Sequence, residues 1–407
     1  MKKNMSKFMA VLMAASLLTA SIAGCSAKNE TAGKNEETVT EAVASEEKAS
    51  VSESGEAETK DAEAEEAETE AEKKAEATTG ETLEITDMSG RKMDIPVEID
   101  SVFSTGAVAA IYLYTLAPDK LLGWNYQLND LEKSVILEEY HDLPNFGQND
   151  AINFEAVIAA EPDIALMVGK LNDATKDKAD KMSDSLGVPV VVVDSDFEKS
   201  ADVYRFLGGL LGEEEQAEKL AAYTDKAFKD IEDMKLEEGE AVRVYYGNGE
   251  DSLETPPKGS EHGRIFDIVK AENVADLEVG DGSRIQISAE QLLAWNPDVI
   301  ILNGEPKKDI SGKSAAEKFK ADPVFAELDA VKNDTVYGSP NAPFSWLDRP
   351  SGPNRIVGLR WLQSKLYPDK VNYNLDEEVK TFFELFYHVE LSDEDLVKIY
   401  NGEMLTK

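Results

Sequence analysis

Asn153-Phe-Glu-Ala-Val-Ile-Ala-Ala-Glu-Pro-Asp-Ile164 and Ser288-Ala-Glu-Gln-Leu-Leu-Ala-Trp-Asn-Pro-Asp-Val299 are two versions of one twelve-residue pattern. Each opens on a residue suited to capping a helix N-terminus, Asn153 or Ser288, and places a glutamate two positions later, Glu155 or Glu290. An apolar helix face follows, then Pro-Asp breaks the helix ahead of a buried strand. The chain therefore contains one structural unit twice. In each copy a carboxylate sits in the first helical turn, where the backbone dipole favours it and solvent reaches it.

Outward from these segments, short apolar runs alternate with helical patterns, which implies α/β units around mostly parallel strands. Strands are expected at residues 101–104, 121–124, 163–168 and 188–193 in the first half, and at 242–246, 299–302 and 335–337 in the second. Between the halves, Ala217, Leu220, Ala221, Ala227, Phe228, Ile231 and Met234 keep a helical spacing. The expectation is one helix over residues 213–235, about 35 Å long. The fold class follows: two Rossmann-like α/β lobes with mostly parallel sheets, residues 81–212 and 236–407, joined by that long connecting helix.

The ends of the chain have a different character. Lys2, Lys3 and Lys7 precede an apolar stretch and small residues that end in Ile22-Ala-Gly-Cys25. This resembles a bacterial lipobox, with Ile in place of the usual Leu, and implies a signal peptide over residues 1–25 and lipidation of Cys25. Cys25 is the single cysteine of 407 residues, so internal disulfides and cysteine-based metal or redox sites are excluded. Residues 26–80 hold 17 acidic and 6 basic side chains and no Leu, Ile, Phe, Tyr, Trp or Met. Such a segment buries too little surface to fold, and it reads as a disordered acidic tether. Of the formal net charge of −39, residues 81–407 carry −31. Nucleic acid is not a partner for so acidic a surface, and contact with a membrane would be through the lipid anchor only.

With both copies of the repeat and the connecting helix in place, residues 82–400 resemble the helical-backbone class of ABC-transporter substrate-binding proteins. The segments that carry the likeness are those around Glu155 and Glu290. The resemblance implies a monomeric, extracytoplasmic lipoprotein at the bacterial cell membrane, with no cofactor and no enzymatic activity. It would capture a metal chelate (ferric siderophore, haem or corrinoid) between its lobes and deliver it to an ABC permease and its ATPase. By the same resemblance, Glu155 and Glu290 dock onto arginines of the permease. Two separated exposed charges suit that task, because they orient the loaded protein over basic sockets without a large apolar patch. The alternative is a surface-anchored protein that binds a free metal ion or a macromolecule.

Ligands of open α/β lobes bind beyond the carboxyl ends of the strands. The loops there supply Thr105, Trp124, Asn125, Tyr126 and Lys170 from the first half, and Tyr246, Asn303, Trp346 and Arg349 from the second. Trp124 and Trp346 would face a planar chelate from opposite sides, or else pack at the edge of the core. Arginine is scarce, eight in all. Arg349 and Arg264 are candidates for bidentate recognition of a carboxylate or catecholate, with pairing to the abundant Asp and Glu as the other reading. His262 lies among Pro256, Pro257, Gly259 and Gly263 in a segment that would close over the cargo or give a nitrogen to its metal, or stay in solvent. His388 reads as helix packing. No resident metal site is expected, because three scattered histidines do not converge.

Gly312-Lys-Ser314 imitates the end of a phosphate loop, yet Lys307 stands where that loop needs glycine. There is no His-Glu-x-x-His run and no Gly-x-Ser-x-Gly elbow, so hydrolytic chemistry has no apparatus.

Overall fold

Asp87 organises the start of the fold. Its carboxylate accepts hydrogen bonds from the Ser89 backbone at 3.0 Å, the Arg91 backbone at 3.0 Å and the Val192 backbone at 3.1 Å. This turn joins β1 (Thr82–Thr86) to β2 (Lys92–Pro96), an antiparallel hairpin tied to the first sheet through Val192. The computed structural model describes residues 81–280, 284–305, 308 and 310–406. The signal peptide, Cys25 and the tether lie outside the described residues. The hairpin is absent from the expected strands, although Leu83, Ile85, Met93 and Ile95 alternate with polar residues as a half-exposed pair should.

The first sheet is parallel, in the order β3 (Val102–Ser104), β4 (Ile164–Gly169), β5 (Val190–Asp194). Four consecutive valines of β5 are buried, because helices cover both faces: α1 (Ala107–Leu116) and α4 (Asp173–Leu186) among them. Residues 121–124 do not form the expected strand. Leu121 and Trp124 make only isolated bridges, to Val102 and Asn145. Short helices α2 (Asp130–Val135) and α3 (Phe154–Ala159) complete this half.

A helical hairpin leads out of the first half. α5 (Ser200–Leu211) turns at Gly212 into α6 (Glu214–Asp233), the connecting helix, which spans 20 residues, or about 30 Å, rather than the full 213–235. Met234 is already extended and ends it. The two helices approach so closely that a Cβ on Gly208 would lie 2.3 Å from that of Ala217.

The second sheet is also parallel, formed side by side by residues Val336–Gly338, Val299–Leu302, Arg243–Gly247 and Glu272–Asn273. In chain order, β6 (Arg243–Gly247), β7 (Glu254–Thr255), α7 (Arg264–Ile268), β8 (Glu272–Asn273) and β9 (Ile285–Gln286) lead to α8 (Ala289–Trp295) and β10 (Val299–Leu302). Then come α9 (Gly312–Ala321), α10 (Asp329–Lys332) and β11 (Val336–Gly338), followed by α11 (Asn354–Leu366), α12 (Leu375–Tyr387) and α13 (Asp393–Asn401). β7 and β9 pair as a separate antiparallel ladder.

The repeated segments fold alike. Asn153 accepts from the Ala156 backbone at 3.1 Å to start α3, and Ser288 accepts from Gln291 at 3.2 Å to start α8. The aspartate of each Pro-Asp then fastens the neighbouring strand: Asp163 accepts from the Ser101 backbone at 2.8 Å, and Asp298 from the Arg243 backbone at 2.9 Å. Each copy is thus a helix, a stop and a carboxylate clamp on the strand alongside.

One apolar core runs through both halves, from α1 and α6 to Trp346, α11 and α12, and two smaller cores cover the far faces of the sheets. α11 lies almost against the preceding loop. A Cβ on Gly358 would come within 1.8 Å of the Trp346 carbonyl oxygen, so only glycine fits there. Among the described residues no helix is long and apolar enough to cross a membrane.

Candidate functional site

Parallel strands deliver their carboxyl ends to the same edge. In the first half these ends are Ser104, Gly169 and Asp194, followed by Thr105 and Lys170; in the second they are Gly247 and Leu302, followed by Asn248 and Asn303. α1 begins directly after Thr105, with Gly106 at its cap, no side chain on its first amides and no acidic residue in its first turn.

The segment between β11 and α11 carries a fully buried carboxylate, Asp348. It accepts a hydrogen bond from His262 Nδ1, which fixes the proton on that nitrogen. Arg284 Nη2 and Arg349 Nε each lie 3.6 Å from Asp348 Oδ2. Tyr246, at the end of β6, is buried beside the same groups. Burial first, and Asp348 second, push its phenol well above the ordinary range. Ser345 is alongside, yet the Tyr246 hydroxyl has no hydrogen-bond partner of normal geometry.

Arg355 completes this cluster from the first turn of α11. It is 1 % exposed, its guanidinium lies 4.3 Å above the Phe197 ring, and neither Nε nor Nη2 has a hydrogen-bond partner. Burial lowers its pKa, and the Asp348 and Glu261 charges oppose that shift. Arg284 Nε, Thr255 Oγ1 and Asn248 Oδ1 are likewise buried without partners. A buried donor left unmade costs about 1–3 kcal/mol, and more when charged, so the Arg284 and Arg355 nitrogens call for an acceptor, while Asn248 Oδ1 and Asp348 Oδ2, also without hydrogen-bond partners, call for donors.

The halves touch here through polar groups. Lys170 is 3.9 Å from Glu261, and Arg264 is paired with Glu198. Phe197 comes from the first half and Arg355 from the second. Gly352, in the segment leading to Arg355, sits against Val108 of α1.

The residues expected at the cleft divide into two groups. Tyr246, His262 and Arg349 meet around Asp348. Thr105 is half-buried at the end of β3, and Lys170 and Arg264 pair across the halves. The others have structural tasks. The Trp124 indole is buried and donates to the Tyr140 carbonyl at 2.7 Å, and the Trp346 indole is buried and donates to Ala342 at 3.0 Å. The two rings pack against Tyr114 and against Phe383 and Tyr400, so they are not the walls of a planar slot.

Asn125 is saturated: its amide donates to Ser104 and Gly147 carbonyls at 2.8 and 3.0 Å, and its oxygen accepts from Ser104 Oγ at 3.0 Å. Tyr126 donates to Glu132 at 3.0 Å. Asn303 accepts from Ser339 Oγ at 3.2 Å and, through its carbonyl, from Asn341 at 3.0 Å. His388 is packed beside Tyr114, with its pKa lowered by burial. At Gly312-Lys-Ser314 the helix start is already capped, since Ser311 Oγ accepts from Ser314 at 3.2 Å.

Glu155 and Glu290 are both exposed in the first turns of their helices, and Glu290 is held below the usual carboxyl range by its own backbone N–H and by Ser288. Arg284 and Arg355 are not among the residues expected from the sequence, while Asp348 lies in the loop expected to follow the final strand. The scarcity of arginine was the available signal, because four of the eight, Arg264, Arg284, Arg349 and Arg355, gather in this region.

The periplasmic binding protein family matches residues 117–343. The molybdate-binding protein MolA of Haemophilus influenzae is 23% identical over 332 residues, 74% of this chain and 90% of that protein. The high-affinity heme uptake system protein IsdE of Staphylococcus aureus is 27% identical over 208 residues, 50% of this chain and 69% of that protein. An ABC transporter solute binding protein from Sulfurospirillum deleyianum superposes with a TM-score of 0.68 at 29% identity, covering 78% of this chain and 98% of its own. The chain belongs to the periplasmic binding protein family, and its role is that of a non-enzymatic solute-binding component of an ABC importer.

Proposed function

We propose that this protein captures an anionic metal compound, an oxyanion or a negatively charged metal chelate, between its halves and delivers it to an ABC permease and its ATPase. The observation that carries this reading is Arg355, a buried guanidinium with two unpartnered nitrogens, which feels the same buried Asp348 charge as Arg284, Arg349 and Tyr246. A guanidinium fork of this kind matches paired oxygens of an anion. Two relatives have names that fit: one is a molybdate-binding protein and one belongs to a heme uptake system. Ferric siderophores and haem stay within the class because they too carry acidic oxygens; a corrinoid fits less well, since neither tryptophan is free to stack on a macrocycle.

The test is the cargo itself. Protein purified from its native host, denatured and analysed for metal and by mass spectrometry, should release an anionic species in wild type and none in Arg355→Leu. A neutral or cationic cargo overturns the reading. Glu155 and Glu290 are proposed to dock on the permease: Glu155→Ala with Glu290→Ala should abolish uptake and leave cargo affinity unchanged, and a loss of affinity would remove that assignment. Lipidation at Cys25, with anchoring to the outer face of the cell membrane, belongs to the same proposal.

A further inference from the structure

We infer that Asp348 is a positioning residue for cargo binding: it holds His262, Arg284 and Arg349 in place at the cleft, although its own charge opposes an anionic cargo. The inference rests on the reading of the cleft as an anion site and deepens it. The Asp348 carboxylate is fully buried, and three side chains from separate parts of the chain converge on it. His262 Nδ1 donates to Oδ1, and Arg284 Nη2 and Arg349 Nε each stand 3.6 Å from Oδ2. The backbone at Asp348 is itself fixed, since its N–H donates to Ser345 Oγ at 3.3 Å and its carbonyl accepts from Ser351 Oγ at 2.8 Å. A short side chain on a fixed backbone thus anchors two long ones and a loop histidine.

A buried carboxylate is destabilising unless its oxygens are bonded, and Oδ2 has no hydrogen-bond partner, with both guanidiniums just beyond bonding distance. Facing an anion, the same charge is also repulsive. What the charge contributes is order. An arginine side chain has many rotamers, and holding it in one geometry before cargo arrives lowers the entropy lost on binding. Arg349 needs this most: its side chain is 46% exposed, and among the described residues Asp348 is its one ion-pair partner. Arg284 Nη1 is also 3.9 Å from Glu254, a partly exposed and therefore weak second tie.

His262 extends the effect to the contact between the halves. It lies between Glu261, which is 3.9 Å from Lys170, and Arg264, which is paired with Glu198, so residues 261–264 fasten the second half to the first. Those two outer pairs are partly exposed and screened by water, whereas the bond from His262 ends on a buried carboxylate, where screening is least. Without the Asp348 charge, residues 258–264 and both arginines lose their common anchor.

The opposite signs of the two effects decide the test. Acting through its charge alone, Asp348 would weaken anion binding, and Asp348→Asn would strengthen it; acting by position, the same substitution weakens it. Isothermal titration of the full chain with molybdate, a ferric tris-catecholate and haem should show saturable binding of at least one, weakened about tenfold or more by Asp348→Asn. In an Arg349→Gln background the substitution should weaken binding by only about threefold, because one of the side chains it positions is gone. Hydrogen exchange reads the anchor without cargo: amides of residues 258–264 should exchange at least about threefold faster in Asp348→Asn, with β5 and β10 unchanged. Unchanged exchange there overturns the anchoring through His262. Binding by Asp348→Asn as tight as wild type or tighter overturns the inference and leaves the anion reading standing, and an equal loss in both backgrounds overturns it in favour of a purely structural role. Absence of binding of all three probes to wild type overturns the anion reading and the inference with it. If Asp348→Asn does not fold, His262→Gln and Arg349→Gln, at partly exposed positions, take its place: each should weaken binding about tenfold, and unchanged binding in both overturns the inference.

Discussion

Where the strands of the first half end, polar side chains are satisfied: Ser104, Asn125 and Gly147 close a ring of hydrogen bonds, and the Trp124 indole is bonded to the backbone. Where the strands of the second half end, the reverse holds. Every buried side-chain atom without a partner, among the described residues, lies between Tyr246 and Arg360. The same architectural edge thus serves two purposes. The first half forms a finished wall, while the second keeps buried donors and acceptors, among them the Tyr246 hydroxyl, Arg355 Nη2 and Asn341 Oδ1, without a hydrogen-bond partner. Satisfied networks stabilise the fold and unsatisfied ones store binding capacity, at the expense of stability in the empty protein.

That contrast can be broken by substitution. Trp124→Ala removes a buried ring and its indole bond and should lower unfolding free energy by about 3–5 kcal/mol, with cargo affinity of the folded protein within threefold of wild type. Chemical denaturation and titration together check this, and a large loss of affinity at retained stability would place Trp124 in the binding site after all.

A second test uses pH. Burial pushes the Glu132 carboxyl up to about 7 against hydrogen bonds from Asn129 and Tyr126 that lower it. The native state therefore holds this proton more tightly than the unfolded chain does. Its stabilising contribution is complete below the ordinary carboxyl range and fades as pH rises through about 7, by at most about 1.4 kcal/mol per unit. Glu132→Gln should flatten stability across that window, as denaturation midpoints from pH 4 to 8 will show. A slope unchanged by the substitution would assign the pH dependence elsewhere.

The smallest effect belongs to the bridge between the halves. Glu198→Gln removes the partner of Arg264, but both side chains are more than 40% exposed, at 44% and 45%. Screening limits such a pair to about 1 kcal/mol or less, so stability should barely move and cargo affinity should change by less than tenfold. A larger change would make this ion pair part of the grip on the cargo.

Much of the frame was legible along the chain because its signals are local. The capping residues Asn153 and Ser288, the Pro-Asp stops and the valine run of β5 each act within a few residues, and their elements fall where the pattern puts them. The hairpin of β1 and β2 escaped because its turn depends on Asp87 reaching Val192, 105 positions away. Residues 121–124 read as a strand from their apolar composition, yet neighbouring segments offer them only single bridges.

The candidate site was legible only in part, for a related reason. Residue type and loop position selected Tyr246, His262 and Arg349, which meet around Asp348, but similar criteria also selected Trp124, Asn125, Trp346 and Asn303, whose polar groups bond within the fold. His262 and Asp348 are 86 residues apart, and nothing local announces that they meet. By itself the sequence determined the repeated unit, the parallel α/β frame and the long helix between its halves, since periodicity and capping are short-range properties. The tertiary structure alone decided which polar atoms were left without partners, because satisfaction of a buried donor depends on what the rest of the chain brings to it.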